Sequence, residues 1–186
     1  MIAGSTEAED LMTASELIKL DLPGKSTELV RGRLIVREPP GTYHGLVQSN
    51  LNVMVGTFVR AHRLGAVFGQ DTGFKIASNP DTVRAADLAF VSLERVALIT
   101  PRGYAALAPD LVAEILSPDD RPGEVLSKVG EWLGAGARVV WVIDPEGRTA
   151  QAYREDGSIA VIPSNGTLDG EQLLPGFVCP LADLFE

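Results

Sequence analysis

The sequence is poor in residues that build covalent or transition-metal sites, with one cysteine and two histidines among 186 residues. Cys179 alone can form neither an internal disulfide nor a cysteine zinc cage, and we expect a small packed side chain. Because His44 and His62 are the only histidines, a His-rich metal site is also disfavoured. Any metal would be held mainly by carboxylates, which favours Mg²⁺ or Mn²⁺.

Long apolar runs and an N-terminal signal are also missing. No apolar segment approaches the roughly 20 residues that cross a bilayer. The start, MIAGSTEAED, has neither the basic region nor the apolar stretch of a secretory signal. We therefore expect a cytoplasmic protein with no membrane partner, in which residues 1–12 form a flexible tail and residues 13–186 a single domain.

Basic residues are outnumbered, with 16 Lys and Arg against 25 Asp and Glu and a formal net charge of −9. Proteins that bind nucleic acid without metals usually carry a basic footprint, so this balance counts against a nucleic-acid partner. A small basic cluster, Arg60, His62 and Arg63, lies at the end of a predicted helix. Cations are favoured at a helix C-terminus in any case.

Hydrophobic periodicity predicts an α/β (α+β) protein, a mixed sheet flanked by helices. Helical spacing of apolar residues predicts helices over about residues 42–64 and 121–135. A Thr13–Glu16 capping box predicts the start of a short helix before them. VVWVI is apolar on both faces and should be a central strand, and the apolar C-terminal tail should dock. The other predicted strands are TELV, RLIVRE, GFKIA, TVRAADLAFVSL, LVAEILS, TAQAYR and SIAVIP.

Two carboxylates interrupt otherwise apolar strands. Glu114 lies within LVAEIL, and Asp87 lies within TVRAADLAFVSL, where it shares a face with Ala89 and Val91. Burying a carboxylate without a partner costs roughly several kcal/mol. If the two strands are neighbours, the carboxylates converge, and a hard divalent cation is the usual remedy for their repulsion.

Lys128 completes a chemical set with these carboxylates. It precedes Val129 at the border of the apolar stripe of a predicted helix, from which its ammonium can reach back over the sheet. Two carboxylates, a lysine and a divalent cation suit phosphodiester hydrolysis. We expect Asp87, Glu114 and the main-chain carbonyl of Ile115 to bind Mg²⁺ or Mn²⁺, with Lys128 acting on the phosphate or the attacking water.

The chain also resembles a known family. ELVRGRLIV, TYHGLVQSNL, DTGFKI, ADLAFVSLERV, PDLVAEILSPDDRPGEVLSK and GARVVWVIDPEGRTAQAY follow, in order, the pattern of the Uma-two family. This is a bacterial group of endonucleases within the PD-(D/E)XK superfamily. The resemblance covers about residues 13–185, and it implies a restriction-endonuclease-like fold, a divalent metal and a DNA substrate.

The resemblance also assigns residues. Asp87 corresponds to the aspartate of the family's PD motif and Glu114 to its central glutamate. Lys128 corresponds to a lysine that has moved from the strand to the following helix. Glu28, in ELVRG, corresponds to an acidic residue on the N-terminal strand that often faces the same site, which makes it a fourth candidate catalytic residue.

Three positions depart from the family pattern. Ala86 replaces the proline before the aspartate, and Arg33 replaces an acidic residue after the glycine of ELVRG. Leu116 occupies the place of the lysine in a strict Glu-x-Lys motif, so catalysis depends on Lys128 filling that role.

Two functions of different classes remain open from the sequence. The first is a metal-dependent endonuclease acting on DNA, for which a homodimer or another homo-oligomer is open. The second is a non-enzymatic binding or assembly module that keeps the fold. The net charge favours the second slightly, whereas the set of Asp87, Glu114 and Lys128 favours the first more strongly. His44 is expected to be a buried, hydrogen-bonded histidine, with phosphate contact as the alternative.

Overall fold

The computed structural model describes residues 11–186, so most of the predicted 1–12 tail lies outside the described residues. The helices are α1 (Ala14–Leu17), α2 (Thr42–His62), α3 (Pro122–Gly134) and α4 (Leu181–Leu184), with a 3-10 turn at Val96–Leu98. The strands are β1 (Ser26–Val30), β2 (Arg33–Arg37), β3 (Gly65–Phe68), β4 (Thr72–Ala77), β5 (Thr82–Ala86), β6 (Leu88–Ser92), β7 (Leu111–Ile115), β8 (Val139–Asp144), β9 (Thr149–Arg154), β10 (Ile159–Ile162), β11 (Thr167–Asp169) and β12 (Val178–Pro180).

The principal sheet has six strands in the order β10-β9-β8-β7-β6-β3. The pair β7 and β8 is parallel, and the other neighbours are antiparallel, so the sheet is mixed. β8 lies between β7 and β9, which confirms VVWVI as a central strand. A four-stranded sheet, β2-β1-β5-β4, and the pair β11-β12 complete the strands of residues 11–186.

The two long helices cover opposite faces of the six-stranded sheet. Val47, Leu51 and Val55 of α2 are buried in one core with the inward residues of β6, β7 and β8 and the docked C-terminal tail. Val129 and Trp132 of α3 are buried in a second core on the other face. Each fully buried apolar side chain contributes roughly 1.5–3 kcal/mol. The predicted mixed sheet flanked by helices is therefore confirmed.

The predicted strand TVRAADLAFVSL is wrong as one element. β5 pairs with β1 and β4 in the four-stranded sheet, whereas β6 pairs with β3 and β7 in the six-stranded sheet. Asp87 is the residue between them, where the chain passes from one sheet to the other. Alternation continues through such a junction, so the pattern does not reveal the change of partners. The short strands β3, β11 and β12 and the short helix α4 were also missed.

The first hairpin places Glu28 on β1, at the start of the site. Arg31 (φ 50°) and Gly32 (φ 79°) join β1 to β2, and two successive residues with positive φ give the tight turn that suits paired strands. The predicted capping box on α1 is also present, with Thr13 accepting from the Glu16 N–H.

No helix within residues 11–186 has both the length and the apolarity to span a membrane.

Candidate functional site

Glu28 points from β1 toward β5 and is almost fully buried. Its Oε1 accepts a hydrogen bond from the Ala85 N–H at 2.9 Å, and its Oε2 accepts one from Arg84 Nη1 at 2.8 Å. The same guanidinium donates from Nε to Glu131 Oε2 at 2.6 Å. Arg84, on β5, therefore links Glu28 to Glu131 of α3.

Asp87 is held at the junction of the two sheets by three neighbours. Its Oδ2 accepts from the Ile115 N–H at 2.7 Å, and Gln48 Nε2 donates to its main-chain carbonyl at 3.1 Å. His44 Nε2 lies 3.4 Å from Asp87 Oδ2. Burial lowers the pKa of His44, but hydrogen bonds with Asp87 and the Ile115 backbone and the Asp87 charge outweigh it, so the pKa is raised.

Glu114 occupies the centre of the site, because alternation along β7 turns it to the same face as Val112, toward α3. Its Oε1 accepts from the indole Nε1 of Trp132 at 2.7 Å. Its Oε2 accepts from Lys128 Nζ at 2.9 Å. Both oxygens of this buried carboxylate are therefore engaged by side chains of one helix.

Lys128 links the carboxylates. Its Nζ donates to the Ala85 carbonyl at 2.8 Å and to Glu114 Oε2 at 2.9 Å, and it lies 3.2 Å from Glu28 Oε1. Two of the three ammonium donors therefore form hydrogen bonds, and the third contact, with Glu28, is an ion pair. Lys128 thus reaches from α3 back over the sheet, and its ammonium lies beside both glutamates.

The two buried glutamates differ in their electrostatics. Burial raises the pKa of Glu28, but the charges of Lys128 and Arg84 outweigh burial, and the net pKa is lowered. Burial also raises the pKa of Glu114, and Asp87 adds repulsion against the opposing Lys128, so this pKa rises to about 7. Burial lowers the pKa of Lys128, but both glutamates reverse the effect and leave it raised. Glu114 is the carboxylate whose charge is least well compensated.

These residues lie in a cleft of about 820 Å³ between the two sheets and the starts of α2 and α3. Nine acidic residues line the cleft, against the two basic residues Arg37 and Lys128. So acidic a cleft repels a polyanion and attracts cations.

The structure brings together all four predicted catalytic residues, Glu28, Asp87, Glu114 and Lys128, and Ile115 lines the same cleft. His44 is buried as expected, but it also contacts Asp87, and its Nδ1 has no hydrogen-bond partner within residues 11–186.

Sequence reasoning missed Arg84 and the bond from Trp132 to Glu114. Arg84 is a charged residue within the otherwise uncharged strand TVRAA, and this position could have indicated a buried ion pair. The indole N–H bond of Trp132 had no signal in the sequence.

The set Asp87, Glu114 and the Ile115 carbonyl offers the hard oxygen donors that Mg²⁺ and Mn²⁺ prefer. Burial, together with the charge of Asp87, raises the pKa of Glu114, and a cation bound beside this carboxylate would oppose both effects. No group of three or more His, Cys, Asp and Glu side chains in the described part of the chain is arranged to hold a metal ion. The predicted metal ligands include only two such side chains, Asp87 and Glu114, because the third ligand is a main-chain carbonyl.

Comparison with solved structures supports the fold. A crystal structure titled as "a putative nuclease belonging to DUF820", from Anabaena variabilis ATCC 29413, superposes with a TM-score of 0.79. The two chains are 23% identical, and the match covers 94% of this chain and 97% of the other. The two chains therefore share one fold. No curated protein matches the chain with significant similarity.

Comparison with protein families gives a match over almost the whole chain. Residues 14–182 match Uma2, described as "Putative restriction endonuclease", and this range includes every residue of the acidic cleft discussed above. The chain belongs to the Uma2 family of restriction-endonuclease-like proteins.

Proposed function

We propose that this protein is a divalent-metal-dependent endonuclease that hydrolyses phosphodiester bonds in DNA. Asp87, Glu114 and the main-chain carbonyl of Ile115 would hold Mg²⁺ or Mn²⁺. The observation that carries the proposal is the position of Lys128, whose ammonium lies 2.9 Å from Glu114 Oε2 although it comes from α3. A lysine beside the carboxylates is the arrangement that phosphodiester hydrolysis needs.

The residues of the site divide the work. A bound divalent cation supplies an activated water and neutralises phosphate charge. Lys128 donates a hydrogen bond to a phosphate oxygen or to the attacking water, and it carries the positive charge that stabilises the transition state. Glu28, which was predicted as catalytic, contacts Lys128 and Arg84, and we assign it to holding the ammonium in place. His44 orients Asp87 from the first turn of α2.

Substitution of Lys128 tests this mechanism. Lys128→Ala should abolish cleavage of single-stranded, duplex or branched DNA with Mg²⁺ or Mn²⁺, because the charge on the transition state loses its partner. The metal ligands remain, so divalent-metal binding measured by calorimetry should persist. Asp87→Ala and Glu114→Ala should weaken both binding and cleavage.

Lys75→Ala is the matched control. Lys75 is a partly buried lysine on β4 that pairs with Asp81 at 2.7 Å, so its loss also breaks an ion pair but leaves the cleft intact. It should cleave as the parent does. Cleavage by Lys128→Ala at the parent rate would show that the lysine of α3 is not catalytic.

A non-enzymatic binding or assembly module remains the second candidate. It is favoured by the excess of acidic residues in the cleft and by the contacts of the Lys128 ammonium with three protein acceptors, two of them hydrogen bonds and one an ion pair. In that case, none of the three DNA substrates is cleaved with either metal, and the parent shows no saturable divalent-metal binding.

A further inference from the structure

The two tryptophans of the chain are both fully buried, but their indole N–H groups differ. Trp132 donates to Glu114 Oε1 at 2.7 Å. The Nε1 of Trp141 has no hydrogen-bond partner within residues 11–186, and its ring belongs to the core on the opposite face of the sheet. Buried donors are normally hydrogen-bonded. The N–H of Trp132 is, and its acceptor is an ionisable carboxylate.

Two donors of different character hold the Glu114 carboxylate. The Lys128 ammonium is a point charge on a flexible stem, and it can pair with an oxygen from many directions. The terminal torsion of a glutamate is also broad, so this contact alone leaves the carboxylate plane poorly defined. A second donor at the other oxygen fixes the plane. Trp132 provides that donor from a rigid ring.

The placement of Trp132 suits this role. Lys128 and Trp132 are four residues apart on α3 and therefore lie on the same face of the helix. The Trp132 ring is packed in the core between α3 and the sheet, which restricts its movement. Its N–H is uncharged, so it orients the carboxylate without neutralising the negative charge that a cation needs.

We propose that Trp132 is a positioning residue for the metal site, whose indole N–H fixes the Glu114 carboxylate plane in the orientation that binds a divalent cation. This inference rests on the proposed function, since Glu114 is a metal ligand only there. Hydrogen-bond partners of metal ligands typically change metal affinity about 10- to 100-fold when they are removed.

The metal-free protein tests the hydrogen bond itself. The chain has two tryptophans, so a ¹H–¹⁵N spectrum of the full chain contains two indole signals, which Trp132→Phe and Trp141→Phe assign. At alkaline pH, where the Glu114 carboxylate of the parent is an anion, Glu114→Gln replaces an anionic acceptor with a neutral one, so it should move the Trp132 indole signal upfield and leave the Trp141 signal in place. An unmoved Trp132 signal would refute the bond.

Metal titration then tests the role. Calorimetry with Mg²⁺ and with Mn²⁺ should show about 10- to 100-fold weaker binding for Trp132→Phe, with Trp141→Phe close to the parent. Both variants remove the same atoms from a buried ring, so they are matched for packing loss. Replacement of Trp132 by benzothienylalanine, which exchanges N–H for sulfur in a ring of the same shape, should reproduce the loss in a folded protein.

The outcomes separate the inference from the proposed function. If the parent binds the metal and Trp132→Phe and the sulfur analogue bind it equally well, the positioning role is wrong and the nuclease proposal stands. If the parent binds neither metal, the proposed function fails and the inference falls with it.

Discussion

At the scale of single residues, Glu28 and Glu114 share one lysine and yet differ in pKa. Glu28 also contacts Arg84, so two cations and a main-chain N–H compensate its burial. Glu114 has Lys128 and the neutral Trp132, and it faces the charge of Asp87. The fold therefore stabilises one carboxylate as an anion and destabilises the other, and the proposed cation would relieve the second effect.

Glu114→Gln should stabilise the metal-free protein at alkaline pH. The folded-state pKa of about 7 exceeds the ordinary 4.5, so the folded protein binds this proton more tightly than the unfolded chain. The stability that Glu114 contributes is fully present below pH 4.5 and is lost as the pH rises through about 7. At about pH 8 the variant should exceed the parent by about 1–3 kcal/mol in free energy of unfolding, and the gap should shrink at about pH 5.

Glu28→Gln is the control and should have the opposite effect. Because the pKa of Glu28 is lowered, its charge stabilises the fold above the ordinary pKa of 4.5. Its removal takes a buried partner from Arg84 and Lys128 and should cost about 3–5 kcal/mol. Chemical denaturation in the presence of a chelator measures both variants. Destabilisation by Glu114→Gln at alkaline pH would make Glu114 a structural ion-pair partner and remove the motive for a metal.

At the scale of elements, α3 does most to assemble the site. Lys128, Glu131 and Trp132 lie on one face of this helix, and they contact Glu114, Arg84 and Glu28 on strands of both sheets. Pro122 at the first position suits the helix start. The position of a single helix thus determines the geometry of the lysine, the orienting indole and the partner of the guanidinium.

Gly130→Ala should stabilise α3. Gly130 is exposed in the middle of the helix, and an added Cβ would meet no atom within 4 Å. Alanine removes backbone freedom from the unfolded chain, so we expect a gain of about 0.5–1 kcal/mol in the free energy of unfolding, measured by chemical denaturation. Gly136→Ala is the contrast, since Gly136 has a φ of +107° and the variant should lose stability. A loss of stability in Gly130→Ala would contradict this account, because it would mean that the added Cβ meets neighbouring atoms.

Most elements could be predicted because their signals are local. The stripe on α2, the alternation of β7 and the doubly apolar β8 follow from periods of 3.6 and 2. The break at Asp87 could not be predicted, because β5 and β6 continue one alternation while their hydrogen-bond partners change. Three of the four predicted site residues were visible as charges in apolar or border positions, and Glu28 came from family resemblance.

At the scale of the whole molecule, charge is the obstacle to the proposed substrate. The net charge is −9, and the cleft is acidic. The basic residues Arg60 and Arg63 line a separate groove beside β3. That end of α2 lies about 24 Å along the helix from His44, at 1.5 Å per residue. DNA that contacts both places must extend along the helix.

DNA binding should therefore depend weakly on salt. Few phosphates are neutralised, so log affinity against log salt should have a slope of about −2 to −3. The Lys128→Ala variant with Mg²⁺ allows this measurement without cleavage. Adding Arg60→Ala and Arg63→Ala should flatten the slope by about 2, whereas Arg138→Ala, which removes an exposed arginine paired with Glu155, should not.

A much steeper slope would contradict this arrangement. It would mean that a homodimer or other homo-oligomer presents a basic surface that one chain lacks. The molecular mass in solution, measured by light scattering with and without DNA, distinguishes that case.

By itself, the sequence determined the helices α1, α2 and α3, most of the strands and the presence of carboxylates where apolar residues were expected, because these follow from local periodicity and from the cost of burying charge. Only the tertiary structure decided which charges compensate each other. Lys128 and Glu28 are 100 positions apart in the chain, and Arg84, on β5, joins Glu28 to Glu131 of α3. A pKa depends on burial and on neighbours within a few ångströms, and the fold brings those neighbours from distant parts of the chain.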